Sequence, residues 1–545
     1  MKKFFAVLFL SGIFLAFADD GGTRNPSDWT FGNIYVKEPN QSISLENEFL
    51  YINQYHHKAR AVFDFKNLTD KTVKVPCAFP VVIKTHYEYD GESICALDFH
   101  VQYDSSVLSL AFDKTDNLIK TNPIEYDKKL RIITIEEYNK IINEFNKTGY
   151  SDIDKKAFDP VNISLNGKNI PVTQVGIETE VIQNSEKVKD AYGEKDLFQG
   201  EIILKLHFYH EIEFPAGSST LKAEYAIDTR KGARRGEVFK SYYDIFTGGT
   251  WNGNIKNFIL LTDGSINVKN SNTNFECKSL FNFGTYNYCQ GTILAAKNYN
   301  PSPNEYFEFS TSSYDDEMPN ENLKDRKTFP YVKDIYASSF LPGNFSSHEK
   351  NYNYEPSASF DGDLLNGWTE GIQNEGIGEW IQFTLTKPAL GPFMTNGLTR
   401  MRKEPYFWDE KKLDDADVPD SWYYKNNRIK EITMENISTH EKKDLSLKDI
   451  YAGEAIYGEQ ERGWINKNAN QNISILFPGT YRLYIKDVYK SEKWNDTVLG
   501  EVWFYYLGDT VSDILKEERN SKRNFFLNEL QKQLYNITIS KETDN

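Results

Sequence analysis

Four cysteines and eight histidines in 545 residues leave little material for a metal centre or a redox motif. The cysteines, Cys77, Cys95, Cys277 and Cys289, contain no C-x-x-C spacing, which argues against a thioredoxin-like or zinc-binding reading. No set of histidines has ligand spacing. His207 and His210 stand three apart on an expected strand and so face opposite ways, and the adjacent His56 and His57 diverge if extended. A G-x-S-x-G elbow, a P-loop and an H-E-x-x-H pair are all missing. Beyond residue 18, no apolar run approaches the roughly 20 residues that a membrane-spanning helix needs. Positive charge is also scarce: 63 Lys and Arg against 79 Asp and Glu give a net charge of −16. A surface this acidic repels phosphate backbones. The densest basic stretch, Arg230-Lys231-Gly232-Ala233-Arg234-Arg235, reads as a solvated hairpin tip, so nucleic acid is not an expected partner. No internal repeat is visible.

What is present begins with an export signal. Met1-Lys2-Lys3 is a short positive head, Phe4 to Phe17 is apolar, and Ala16-Phe17-Ala18 fits an A-x-A cleavage site. Residues 1–18 are therefore expected to be a signal peptide, and the protein to be exported, periplasmic or extracellular. No cysteine follows the site, so no lipoprotein anchor is expected. Cleavage removes two lysines and takes the net charge from −16 to −18. Four cysteines allow three connectivities; in an oxidising compartment, proximity favours Cys77–Cys95 and Cys277–Cys289. Each bridge would close a short loop and contribute about 3 kcal/mol; free thiols are the alternative.

Residues 19–311 read mostly as antiparallel strand. Ala59, Ala61, Phe63 and Phe65 share one face of a strand; Arg60, Asp64 and Lys66 share the other, and only Val62 breaks the pattern. Ile202, Leu204, Leu206 and Phe208 alternate likewise, as do Leu221, Ala223, Tyr225 and Ile227. One helix interrupts: Thr134-Ile135-Glu136-Glu137 fits a capping box, followed by Tyr138, Ile142 and Phe145 at helical spacing. Residues 312–330 are polar, with too little apolar surface to order themselves, and read as a linker. A second strand-rich module spans 331–508. Residues 509–545 turn helical, with Val511, Ile514, Leu515, Phe526, Leu530 and Leu534 as an interrupted apolar stripe that packs back on a domain or serves a partner.

Within 331–508 an ordered set of motifs recurs: Asp361-Gly362-Asp363, Gly367-Trp368-Thr369-Glu370-Gly371, Gly376 to Phe383, Lys425 to Lys430, and Asp487 to Val502. This set resembles the discoidin, or coagulation-factor-5/8 C-type, jelly roll. It is most similar to the version beside bacterial NAD glycohydrolases, described as a glycan-binding or translocation domain. Gly500 replaces a serine usual in that family, and an acidic insertion, Asp409 to Asp420, enlarges a loop. The resemblance implies a sandwich whose loops at one end meet a ligand. Candidate contacts are Trp494 with Lys493, Asn495 and Asp496, together with Arg428 and Asn427. An aromatic face stacks on a sugar's C–H surface while amide, carboxylate and guanidinium groups bond its hydroxyls. The plainer reading has the same loop braced by Tyr489, Asn495 and Asp496, with Trp494 packed. Trp368 and Trp380 read as core. Asp361 and Asp363 suit a structural Ca²⁺, or simply stabilise their turn; no other cofactor is expected.

In the N-terminal part, Thr247-Gly248-Gly249-Thr250-Trp251-Asn252-Gly253-Asn254-Ile255 and the turn Ser164 to Lys168 resemble a secreted bacterial family of unknown function, which implies a β-rich domain and says nothing about activity. Glu178-Thr179-Glu180 places two carboxylates on one strand face, the E-x-E arrangement of ADP-ribosyl-transferring toxins, without the Arg and Ser-Thr-Ser elements that accompany it. The expectation is a mainly β, exported binding protein with no catalytic residues. Its partner would be a glycan or another surface ligand. The alternatives are an accessory or toxin-type enzyme acting on NAD or glycans, and a structural envelope protein.

Overall fold

A computed structural model describes residues 29–32, 35–36, 40–54, 58–89, 94–96, 129–146, 159–184, 198–226, 238–245, 249–280, 291–302, 305–312, 331–342, 354–361, 366–398, 422–447, 449 and 474–539. The signal-peptide segment, residues 313–330 of the linker, His56, His57, Asp363, Cys289 and the basic stretch 230–235 lie outside them. The fold is mainly β.

Two sheets build the N-terminal module. The first runs β15 (Ser265–Lys269), β18 (Tyr306–Ser312), β13 (Val238–Asp244), β1 (Trp29–Gly32), β5 (Val73–Tyr89), β11 (Phe198–Phe214), β10 (Gln174–Asn184), β7 (Lys129–Thr134), with β2 (Tyr35–Val36) and β6 (Ile94–Ala96) also on β5. The second runs β16 (Glu276–Leu280), β17 (Gly291–Tyr299), β14 (Ile255–Thr262), β3 (Ile43–Asn53), β4 (Lys58–Asn67), β12 (Gly217–Ala226), β8 (Asn162–Leu165), β9 (Lys168–Ile170). Most pairings are antiparallel, as the alternation predicts, but β1 pairs β13 and β3 pairs β14 in parallel. The inward rows of both sheets, Phe63, Phe65, Leu206, Phe208, Phe258 and Leu260 among them, form one buried core. Trp251, from the quoted Thr-Gly-Gly-Thr-Trp motif, closes it against Phe65, with ring centroids 4.5 Å apart. The Asn166-Gly167 turn between β8 and β9 takes positive φ at both residues, 50° and 83°, the geometry a tight hairpin needs.

Helix α1 (Ile135–Asn146) starts where the capping box predicts. Thr134 N donates to Glu137 Oε2 at 2.9 Å, and Glu137 N donates to Thr134 Oγ1 at 3.2 Å. Tyr138, fully buried, meets Phe208 edge-on at 5.6 Å.

The expected Cys77–Cys95 bridge is absent, and the length of β5 is the reason. Cys77 is a buried free thiol, whereas the register sets Cys95 opposite Glu88, eleven residues further along the strand. At about 3.4 Å per residue the two Cα atoms lie roughly 35 Å apart, far outside bridging distance. Cys277 on β16 is likewise a free thiol.

The third sheet forms the C-terminal module: β19 (Val332–Ala337), β21 (Trp380–Leu385), β26 (Gly479–Tyr489), β23 (Asn427–Asn436), β27 (Thr497–Tyr506), β22 (Ala389–Asn396), β25 (Ser474–Leu476). The short β20 (Trp368–Thr369) joins β27, and β24 (Lys442–Ser446) joins β23. A brief parallel contact between β23 and β27 folds the sheet back on itself around Trp368, Phe383, Ile432, Leu483 and Phe504. Trp368 is 1 % exposed, as a core residue should be. Trp380 is not: on β21 it alternates with buried Ile381, Phe383 and Leu385 and faces outward, half-buried. It stands three residues from Phe383, so period-two geometry forbids both from facing the core.

Helices α3 (Asp509–Ser521) and α4 (Phe525–Ile539) fill the space between the two modules. Their Val511, Ile514, Leu515, Phe526, Leu530 and Leu534 share one buried cluster with Phe49, Tyr51, Val62 and Ile259 of the N-terminal module and with Phe393, Trp503 and Tyr505 of the C-terminal one. Polar contacts ring this layer. Glu529 accepts from Arg60 at 3.0 Å and from Lys222 at 3.3 Å, and Arg523 donates to Asp64 at 3.0 Å. Glu276 takes the N–H groups of Asp509 and Thr510 at the N-terminus of α3, where a carboxylate also suits the helix dipole. Burial alone would raise its pKa; those bonds outweigh burial and hold it below the usual range.

Candidate functional site

Strand direction gathers one set of loops of the C-terminal module at one end. β19, β22, β24 and β26 run toward this end and β21, β23 and β27 leave it, so residues 338–342, 366–379, 422–426, 447, 449 and 490–496 meet there.

The 490–496 loop is held from beneath. Asn427, 1 % exposed, donates from its backbone N to Asp496 O at 2.8 Å and from Nδ2 to Asn495 O at 2.6 Å, while its Oδ1 accepts Ser491 N at 2.8 Å. The single-turn helix α2 (Trp422–Lys425) adds two carbonyls, with Glu492 N donating to Tyr424 O at 3.0 Å and Trp494 N to Lys425 O at 2.9 Å. Arg428 completes the brace. Its Nε and Nη2 grip both oxygens of Asp449 at 3.0 and 2.8 Å, and its Nη1 reaches the carbonyls of Asn426 and Lys490 at 3.3 and 3.1 Å. Its guanidinium also lies 5.3 and 5.4 Å from the rings of Tyr423 and Tyr424. Burial alone would lower the guanidinium pKa; Asp449 reverses this and holds it above the usual value.

Two of the sequence-proposed ligand contacts are thereby corrected. Asn427 and Arg428 are buried and committed to backbone and to Asp449, so they shape the loop and do not face a ligand. Lys493 and Asn495 are exposed, and Trp494 is half-buried with Lys493 Nζ 4.4 Å from its ring centroid. Asp496 is half-buried, and burial raises its carboxyl pKa. Asp361 is half-buried at the end of a 3₁₀ turn. Among the described residues, no group of three or more His, Cys, Asp or Glu is placed to hold a metal.

Glu370 escaped sequence reasoning. It is fully buried at this end, and its carboxylate accepts Thr497 N at 3.1 Å and Ile372 N at 2.9 Å, pinning the 370–379 loop to β27. Burial pushes its pKa up against those two bonds, and Asp496 and Glu379 add to the rise. Gly376, at φ +69°, makes room for it: a Cβ there would lie 2.6 Å from Glu370 Cγ. The one available signal was a Glu followed six residues on by a Gly-x-Gly, which is weak. Lys490 pairs with Glu375 at 2.6 Å, tying this loop to the Trp494 loop. Phe340 and Ile377 stand out at 45 % and 52 % exposure on two further loops. The end therefore offers an indole, two exposed apolar side chains, an ammonium and an amide on a braced frame, a set suited to contact.

In the N-terminal module, Glu178 and Glu180 do share a face of β10. Each faces a nitrogen-bearing side chain of the neighbouring strand: His207 Nε2 lies 3.6 Å from Glu178 and Lys205 Nζ 3.9 Å from Glu180. His210 points the other way, into the core, as its spacing from His207 predicts.

No family model matches the chain, and no curated protein matches it. Among solved structures, a Legionella pneumophila protein described as a candidate nutrient-binding protein aligns over 52 % of this chain and 72 % of its own, at 10 % identity and a TM-score of 0.25. A score that low carries no shared architecture, so the site stands on its own geometry.

Proposed function

We propose that the protein is an exported, non-catalytic binding protein whose C-terminal module recognises a glycan or similar surface ligand through the loop end around Trp494. The observation that supports this reading is the division of labour at that loop. Buried Asn427 and Arg428 supply rigidity from below, while Trp494, Lys493 and Asn495 remain toward solvent. A preorganised aromatic flanked by hydrogen-bonding groups loses little entropy when it stacks on a sugar. The test is a glycan array probed with the full-length protein and with Trp494→Ala. The reading expects retention on a defined set of glycans, lost in the variant while its thermal midpoint stays within a few degrees of the parent. An array silent with the parent, or signals indifferent to the substitution, would refute it.

A further inference from the structure

The far side of the C-terminal module, away from α3 and α4, carries a second surface that the loop end does not explain. Register aligns its outward side chains in two neighbouring rows. Gln382 of β21 sits between Tyr336 and Arg482, and Trp380 sits opposite Tyr484, with Thr433 beyond. The Arg482 guanidinium lies 4.0 Å from the Trp380 ring centroid and 5.9 Å from that of Tyr484. It donates from Nε and Nη2 to Gln382 Oε1 at 3.0 and 2.8 Å and from Nη1 to the Tyr484 hydroxyl at 3.2 Å. Two aromatic side chains, one amide and one guanidinium are thus locked into a single layer, with Tyr336 alongside in register.

Tyr336 joins this layer only because β19 carries a bulge. The register slips by one residue between Lys333 and Tyr336, where Asp334 takes φ +53°. Lys333 faces outward opposite Thr384, so uninterrupted alternation would turn Tyr336 inward; the extra residue turns it to solvent, at 57 % exposure. Left-handed backbone at a non-glycine residue is strained, and here it holds a large aromatic in water.

The charges at the centre of this face are paired. Lys442 pairs with Glu435 at 3.5 Å, Lys486 with Asp444 at 2.7 Å and with Glu431 at 3.5 Å, and Arg482 lies opposite Glu435 in register. Three cations meet three carboxylates there, with Lys333 one further cation at the β19 edge, leaving rings, an amide and hydroxyls toward solvent. We infer that this face is a binding platform for an uncharged polysaccharide chain. The rings stack on pyranose C–H faces while Gln382, Arg482 and Thr433 bond hydroxyls. Rings on three adjacent strands span about 10 Å, enough for a short run of linked sugars. The inference does not depend on the loop-end reading.

The test is affinity electrophoresis of the full-length protein in gels containing hydroxyethylcellulose, galactomannan or dextran, with alginate as the charged comparison. Retardation is expected in at least one uncharged gel and not in alginate. Tyr336→Ala and Trp380→Ala should each weaken it about five- to tenfold, while Leu130→Ala, an exposed change in the other module, leaves it intact. Tyr336 is more than half exposed, so its variant keeps the fold. No retardation in any uncharged gel overturns the platform. So does retardation that survives Tyr336→Ala, or that is equal in alginate. Retention lost only in Trp494→Ala also overturns it and leaves the loop-end reading standing.

Discussion

Replacing Arg428 separates a brace from a ligand contact. In Arg428→Ala four charge-assisted hydrogen bonds disappear, two to Asp449 and two to the carbonyls of Asn426 and Lys490. At about 1.5 kcal/mol or more apiece the gross loss is near 6 kcal/mol. Water recovers part of it, because the Asp449 side chain is already 29 % exposed and re-solvates readily. A net cost of about 3 kcal/mol remains, within the range for breaking a partly buried ionic network. Arg428→Lys should restore only a fraction, since an ammonium keeps the charge but not the fork that spans both carboxylate oxygens. Urea unfolding at neutral pH, followed by tryptophan fluorescence and far-UV circular dichroism, gives the midpoints. A midpoint for Arg428→Ala within about 0.5 kcal/mol of the parent, with glycan retention nonetheless lost, would show that the guanidinium touches ligand and that the brace argument is wrong.

Burial holds the His210 imidazole neutral and lowers its pKa to about 4, with the Pro171 carbonyl 3.1 Å from Nδ1 pulling weakly the other way. The unfolded state takes its proton near pH 6.5 and the folded state only near 4, so this contribution is complete above pH 6.5 and falls by up to about 3 kcal/mol as pH drops toward 4. His210→Asn should flatten that part of the stability–pH curve; an unchanged slope would place the titration elsewhere. Leu530→Ala, in the layer shared by both modules, should cost about 2–5 kcal/mol and lower the unfolding of both modules together. If only one module responds, or neither does, the helices are not a common core.

Local patterns read true. The capping box before α1, the Asn-Gly turn and the alternation of β4 and β11 follow from side-chain chemistry within a few residues. The single irregularity in β4 was itself informative. Val62 breaks the alternation because the face it shares with Arg60 and Asp64 meets α4 and its neighbours instead of water. What failed depended on long-range register. Asn427 and Arg428 have the composition of ligand contacts, and only their distant partners at 449 and 490–496 reveal them as supports. Cys77 and Cys95 are close in sequence, but a 17-residue strand carries the chain away between them. Trp380 was legible after all, from its three-residue offset to Phe383. Glu370 was not, since its partners, Ile372 N apart, come from β27.

The wedge of α3 and α4 gives the protein a fixed elbow instead of a swivel. A load applied to the C-terminal module would pass through α3 and α4 to the N-terminal sheets. It would cross the apolar layer together with Arg60–Glu529, Asp64–Arg523 and the Glu276 clasp on α3.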